Sequence, residues 1–177
     1  MNRLLAAIMT LGVLALAPQY VFAQNATDKG QIEQVIETFR TAILNKDKDK
    51  FLTLFLKDDI TWTGVTADAS VERLYATRPN PEWARPLKVF NSSPREFIGF
   101  IAKDKVKVDE VISNVRIDSD GDIAQVWFDY SFMLGNHKQN WGKESWQMVR
   151  IETGWKIAAV IWSQDLNPMP PVKDGGL

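Results

Sequence analysis

The chain has 177 residues, no cysteine, one histidine, seven tryptophans and a formal net charge of −1. The lack of cysteine excludes disulfides and thiol-linked lipid, so the fold has only its core to hold it together. A near-neutral balance without clustered Lys or Arg excludes a phosphate-tracking surface, and no nucleic-acid partner is expected.

At the N-terminus, Arg3 precedes an uncharged apolar run over residues 4–17, and Val21-Phe22-Ala23 lead into polar Gln24. A base, a short apolar core and small residues before a cut make a secretory signal, and the run falls short of the ~20 apolar residues that span a bilayer. The expected organisation is a signal peptide at 1–23, one domain at 24–166 and a flexible proline-rich tail at 167–177. The expected location is periplasmic or secreted, with no membrane contact once the signal is removed.

Residues 28–45 place Ile32, Val35, Ile36, Phe39, Ala42 and Ile43 at helical spacing, with Asp28 as the N-cap. A short second helix carries Phe51, Leu52, Leu54 and Phe55, and residues 59–65 alternate as a strand around Trp62. From 66 to 91 the pattern is lost among Pro79, Pro81 and Pro86, apart from a helical turn near 71–75. A loop this long in a compact domain reads as a lid or binding loop, with Trp83 at its middle. Ser93, Pro94 and Glu96 then form a capping box for a helix that Phe97, Ile98, Phe100 and Ile101 carry to about 103. Four strands follow, over 106–118, 123–135, 140–152 and 155–164. Their turn signals are Asp120-Gly121, a looser one at 136–138, and Thr153-Gly154.

Turn positions set register, and register decides which side chains share a face. With Ser119 opposite Asp122, Gly135 opposite Gln139 and a two-residue Thr153-Gly154 turn, Ser113 meets Phe128, Tyr130 meets Glu144, and Glu144 meets Ser163. One face then carries Val111, Val115, Ile117, Val126, Phe128, Tyr130, Phe132, Trp146, Met148, Ile157 and Ile161. The other carries Gln125, Trp127, Asp129, Ser131, Lys143, Ser145 and Gln147. The fold class is α+β, a curved antiparallel sheet wrapped around three helices.

Glu144, Tyr130, Ser113 and Ser163 fall among the apolar residues of the inner face. A carboxyl buried there tends to hold its proton, and such groups orient ligands or move protons. Trp62, Phe128 and Trp146 are expected to line a cavity beneath Trp83, while Trp127 and Trp162 face outward as an apolar patch suited to a homodimer. No metal or cofactor is expected: cysteine is absent, His137 sits at a hairpin tip, and no nucleophile triad or glycine-rich phosphate loop is present.

The order of elements, with Asp120-Gly121-Asp122-Ile123-Ala124, Trp146 to Arg150 and Gly154-Trp155-Lys156-Ile157 ending at Trp162-Ser163, resembles the nuclear transport factor 2-like superfamily. That superfamily includes SnoaL-like polyketide cyclases and ketosteroid isomerases, and the resemblance covers about residues 28–163. It implies a cystatin-like α+β cone with a deep pocket, and dimerisation through the outer sheet face. It implies no particular reaction, because one fold hosts many. The histidine-dependent dehydratase type finds no match in a chain whose single histidine is His137. Three functions stay open: binding of a small apolar or aromatic molecule oriented by Glu144 and Tyr130; an isomerase or hydratase with Glu144 as base and Tyr130 as oxyanion donor; and a non-enzymatic dimerisation or interaction domain.

Overall fold

The computed structural model describes residues 17–171, with side chains described from residue 27. Most of the expected signal peptide and the end of the tail lie outside the described residues.

Helix α1 (Ala17–Asn45) begins well before the expected start. Asp28 is therefore no N-cap. It is fully buried inside the helix, 3.6 Å from Arg150. Nothing between residues 19 and 27 breaks a helix, and Pro18 lies in the first turn, where a missing N–H costs nothing. Ile32, Ile36, Phe39 and Ile43 form its buried stripe. The helix stops at Lys46, whose φ of 57° is left-handed, while Asp47 N–H reaches back to Ala42 C=O at 2.9 Å. The Lys46 ammonium donates to the carbonyls of Asp104 and Val106 at 2.6 and 2.9 Å, which holds a non-glycine residue in that conformation.

Helix α2 (Lys48–Leu52) is capped by Asp47, which accepts from Lys50 N–H, and it buries Phe51. Strand β1 (Thr61–Thr66) follows, then helix α3 (Asp68–Ala76), a full helix where only a turn was expected. Ser70 and Arg73 tie α3 to Leu166, at 3.0 and 2.5 Å, so tertiary contacts extend that turn. Strand β2 is short (Val89–Asn91). Helix α4 (Pro94–Lys103) starts as expected, with the Ser93 hydroxyl accepting from Glu96 N–H. The returning Glu96 carboxylate accepts from the Ser92 hydroxyl at 3.0 Å, one residue earlier than a standard capping box uses.

The remaining strands are β3 (Val108–Ser119), β4 (Ile123–Leu134), β5 (His137–Ile151) and β6 (Gly154–Leu166). Six strands form one curved sheet in the order β2-β1-β6-β5-β4-β3. Every pairing is antiparallel except β1 with β6, so the sheet is mixed rather than purely antiparallel. The architecture is the expected α+β cone.

Two bulges change which residues face inward. On β3 the ladder pairs Ile117 with Val126 but Ile112 with Tyr130, a slip between Ser113 and Arg116 centred on Asn114, whose φ is 54°. The slip turns even-numbered residues inward before it and odd-numbered ones after it. On β6 the ladder pairs Ile157 with Met148 but Val160 with Trp146, so Ala158 is the extra residue and parity flips again. Val111, Val115 and Ile161, expected inside, are 47, 40 and 49 % exposed. The β4–β5 turn is Gly135-Asn136, with Leu134 opposite His137. That turn alone would shift the pairing by three residues, but a further bulge at Gln139 returns one, so beyond it the pairings move by two and the faces are unchanged: Glu144 lies opposite Phe128, and Tyr130 opposite Gly142.

Candidate functional site

Between sheet and helices lies a cavity of about 210 Å³. Its wall is aromatic. Phe39 comes from α1, Trp62 from β1, Phe90 from β2, Phe97 and Phe100 from α4, Phe132 from β4 and Trp162 from β6. Their contacts run as an arc: Phe90 to Trp162 at 5.5 Å, Trp162 to Trp62 at 5.6 Å, Trp62 to Phe97 at 5.4 Å and Phe97 to Phe132 at 6.1 Å between centroids. Gly64 makes this arc possible, because a Cβ there would lie 2.2 Å from the Phe90 ring. Phe100, 67 % exposed, stands at the mouth.

The polar lining consists of Glu110, Tyr130, Asn140, Glu144 and Gln164. The β3 bulge brings Glu110 inside, and it is 3 % exposed, with Oε1 lacking any hydrogen-bond partner in the protein. Glu144 is 6 % exposed and accepts from the Trp146 indole N–H at 2.5 Å. Burial pushes the Glu144 carboxyl up to about 7, against the opposing pull of the Trp146 bond. Burial first, then the charges of Glu144 and Asp109, hold Glu110 well above the usual carboxylate range. Two carboxyls that repel one another in low dielectric hold protons that exposed carboxyls would have lost, which is the condition for orienting a polar ligand or moving a proton.

Tyr130 lines the cavity, but its hydroxyl donates to the backbone carbonyl of Ser163 at 3.0 Å. Gly142 allows that approach: a Cβ there would sit 2.0 Å from the Ser163 oxygen. The phenol's proton is thus already committed, and burial together with the nearby charges of Glu144, Glu110 and Asp165 raises its pKa far out of range. Tyr130 can accept from a ligand, whereas donation to an oxyanion would break an existing bond.

The other expected site residues divide. Trp62, Tyr130 and Glu144 meet in the cavity. Phe128 and Trp146 are fully buried behind it, stacked edge to face at 5.1 Å, and Trp146 acts only through its bond to Glu144. Ser113 and Ser163 are on the outer face, put there by the two bulges. Trp83 is 57 % exposed and lies in a separate surface depression with Leu74, Pro79 and Pro86, because α3 draws the loop away from the cavity. Trp162, expected outside, lines the cavity.

Glu110 was not foreseen, although its signal was present. Val108 and Ile112 keep even parity and Ile117 keeps odd, so the phase changes near Asn114, a residue tolerant of left-handed φ, while the apolar but exposed Val111 and Val115 mask the change. Among the described residues no cluster of three or more His, Cys, Asp or Glu could hold a metal ion. None of the described helices is long and apolar enough to cross a membrane.

No protein-family model and no curated protein sequence matches the chain. Solved structures do. A candidate scytalone dehydratase from Novosphingobium aromaticivorans superposes with a TM-score of 0.60 at 15 % identity, covering 86 % of this chain and 93 % of that one. An NTF2-like protein with a cystatin-like fold from the same organism gives 0.59 at 11 % identity, covering 93 and 94 %. An NTF2-like protein of unknown function from Pseudomonas putida gives 0.55 at 14 %, covering 83 and 98 %. At such identities the likeness establishes the fold alone: the chain has the cystatin-like α+β cone of those structures.

Proposed function

We propose that this NTF2-like cone binds a small aromatic or apolar molecule, about one ring in size, with a polar group directed at Glu110 and Glu144. The observation that carries the reading is the cavity itself: an aromatic wall around an inner pair of buried carboxyls. Its size sets the ligand class. An apolar cavity of ~150 Å³ takes benzene, and pockets for drug-sized ligands begin near ~300 Å³. At about 210 Å³ the chamber suits a substituted single ring and is too small for a four-ring skeleton. Export with cleavage after Ala23, and pairing of two copies through the outer sheet face, belong to the same proposal.

Trp62 and Trp162 in the wall supply the probe. Titration with neutral single-ring compounds such as phenol, benzyl alcohol and acetophenone is expected to change tryptophan fluorescence saturably, while a steroid leaves it flat. A flat response to every single-ring compound would remove the binding reading.

One observation favours a second reading, proton-transfer catalysis. Glu144 sits near neutrality beside a second buried carboxyl whose pKa burial also raises. Glu144 would serve as base and Glu110, rather than Tyr130, as the donor to a developing oxyanion.

A further inference from the structure

The cavity is asymmetric in charge. Two carboxyls enter it, and among the described residues lining it there is no Lys, Arg or His. The nearby bases are committed elsewhere. Arg40 on α1 bonds Asp109 at 3.1 Å, and Lys143 pairs with Asp129, which also accepts from Asn114 on the outer side of the sheet. Two acids buried without a base are costly, and an arriving anion would add to that cost. A neutral guest would leave both carboxyls to hold their protons, whereas a cation can pair with one that ionises. Apart from Asn140 and Gln164 the remaining wall is aromatic, and the face of an aromatic ring has a negative quadrupole that attracts cations.

We propose, building on the reading of the cavity as a ligand chamber, that its guest is an organic cation: an ammonium head held between aromatic faces and the Glu110–Glu144 pair, on a body about one ring in size. The orphaned Oε1 of Glu110, in a residue only 3 % exposed, is the acceptor such a head would satisfy. The aromatic arc sets rings from several elements around the cavity, the residue type from which a cage for an alkylated ammonium is built.

Binding of this kind is linked to pH. A cation favours the ionised carboxyls, so the guest must displace the protons they hold in the empty chamber. The titratable and charged groups around them are Tyr130 on β4, Asp165 on β6, and Asp109 on β3 with its partner Arg40 on α1. Affinity for a permanent cation therefore rises with pH through the Glu144 range near 7.

The test compares phenyltrimethylammonium with tert-butylbenzene, its uncharged isostere, on the full chain by tryptophan fluorescence and calorimetry. At pH 8 the cation is expected to bind at least about tenfold tighter. Below pH 7 its affinity should fall by roughly tenfold per pH unit, one proton's worth, with about one proton released at pH 6 in buffers of different ionisation enthalpy. The E110Q/E144Q double variant should lose the preference and keep the hydrocarbon. If the isostere or benzoate matches the cation at pH 8, the cation reading is overturned while the chamber stands; if neither isostere binds, both fall. Should the double variant not fold, the proton count on the unaltered chain decides, and zero release overturns the proposal.

Discussion

Glu144 shows how a single residue ties stability to function. Its carboxyl is buried among rings, bonded to Trp146 and held near 7, whereas in an unfolded chain it would titrate near ~4.3. The folded state binds this proton more tightly, so stability is greatest below ~4.3, falls as pH rises through that window, and stops falling above about 7. The difference is on the order of 3 kcal/mol. Glu144→Gln keeps the volume and an oxygen for the Trp146 indole. It is expected to raise the midpoint of thermal unfolding by roughly 5–10 °C at pH 8 and by almost nothing at pH 4. Equal midpoints for variant and parent at both pH values would show that Glu144 is not desolvated as described.

The decisive feature among the elements is one extra residue in β3. Asn114 takes a left-handed φ of 54° and donates to Asp129 at 2.7 Å, and the slip around it sends Glu110 inward and Ser113 outward. A β-branched residue in that conformation costs about 1–2 kcal/mol, whereas glycine takes it freely. Asn114→Val is therefore expected to lower the unfolding free energy from urea titration by that amount, and Asn114→Gly to stay close to the parent. An Asn114→Val variant as stable as the parent would mean that the bulge is not held by its φ. The helices needed no such correction at their cores: Ile32, Ile36, Phe39, Ile98 and Ile101 are buried as their spacing required. Period 3.6 survives small errors in an end, whereas period 2 is inverted by one residue.

For the molecule as a whole, the outer face of the sheet remains open. Arg116, Trp127, Ser145 and Ile161 pair across four strands there, with Trp127 39 % and Ile161 49 % exposed. Exposed apolar groups on an open sheet face favour self-association, and the proposed homodimer would cover them. Sedimentation equilibrium is expected to give a dimer for the parent and a monomer for Trp127→Lys, with ligand binding retained. A monomeric parent at micromolar concentration would end that proposal.

Within the chain, local rules were enough for the capped start of α4, the buried stripe of α1, the number of long strands and the inward parity of Phe128, Tyr130, Glu144 and Trp146. Each depends on neighbours within a few residues or on turn chemistry. Long-range packing decided the rest. It set the parallel union of β1 with β6, drew α3 and Trp83 away from the mouth, and fixed the two bulges that exchanged Ser113 and Ser163 for Glu110 and Trp162. A strand's alternation fixes its two faces only relative to each other; which one meets the core, and where the phase slips, is settled when the neighbouring strands and helices close around it.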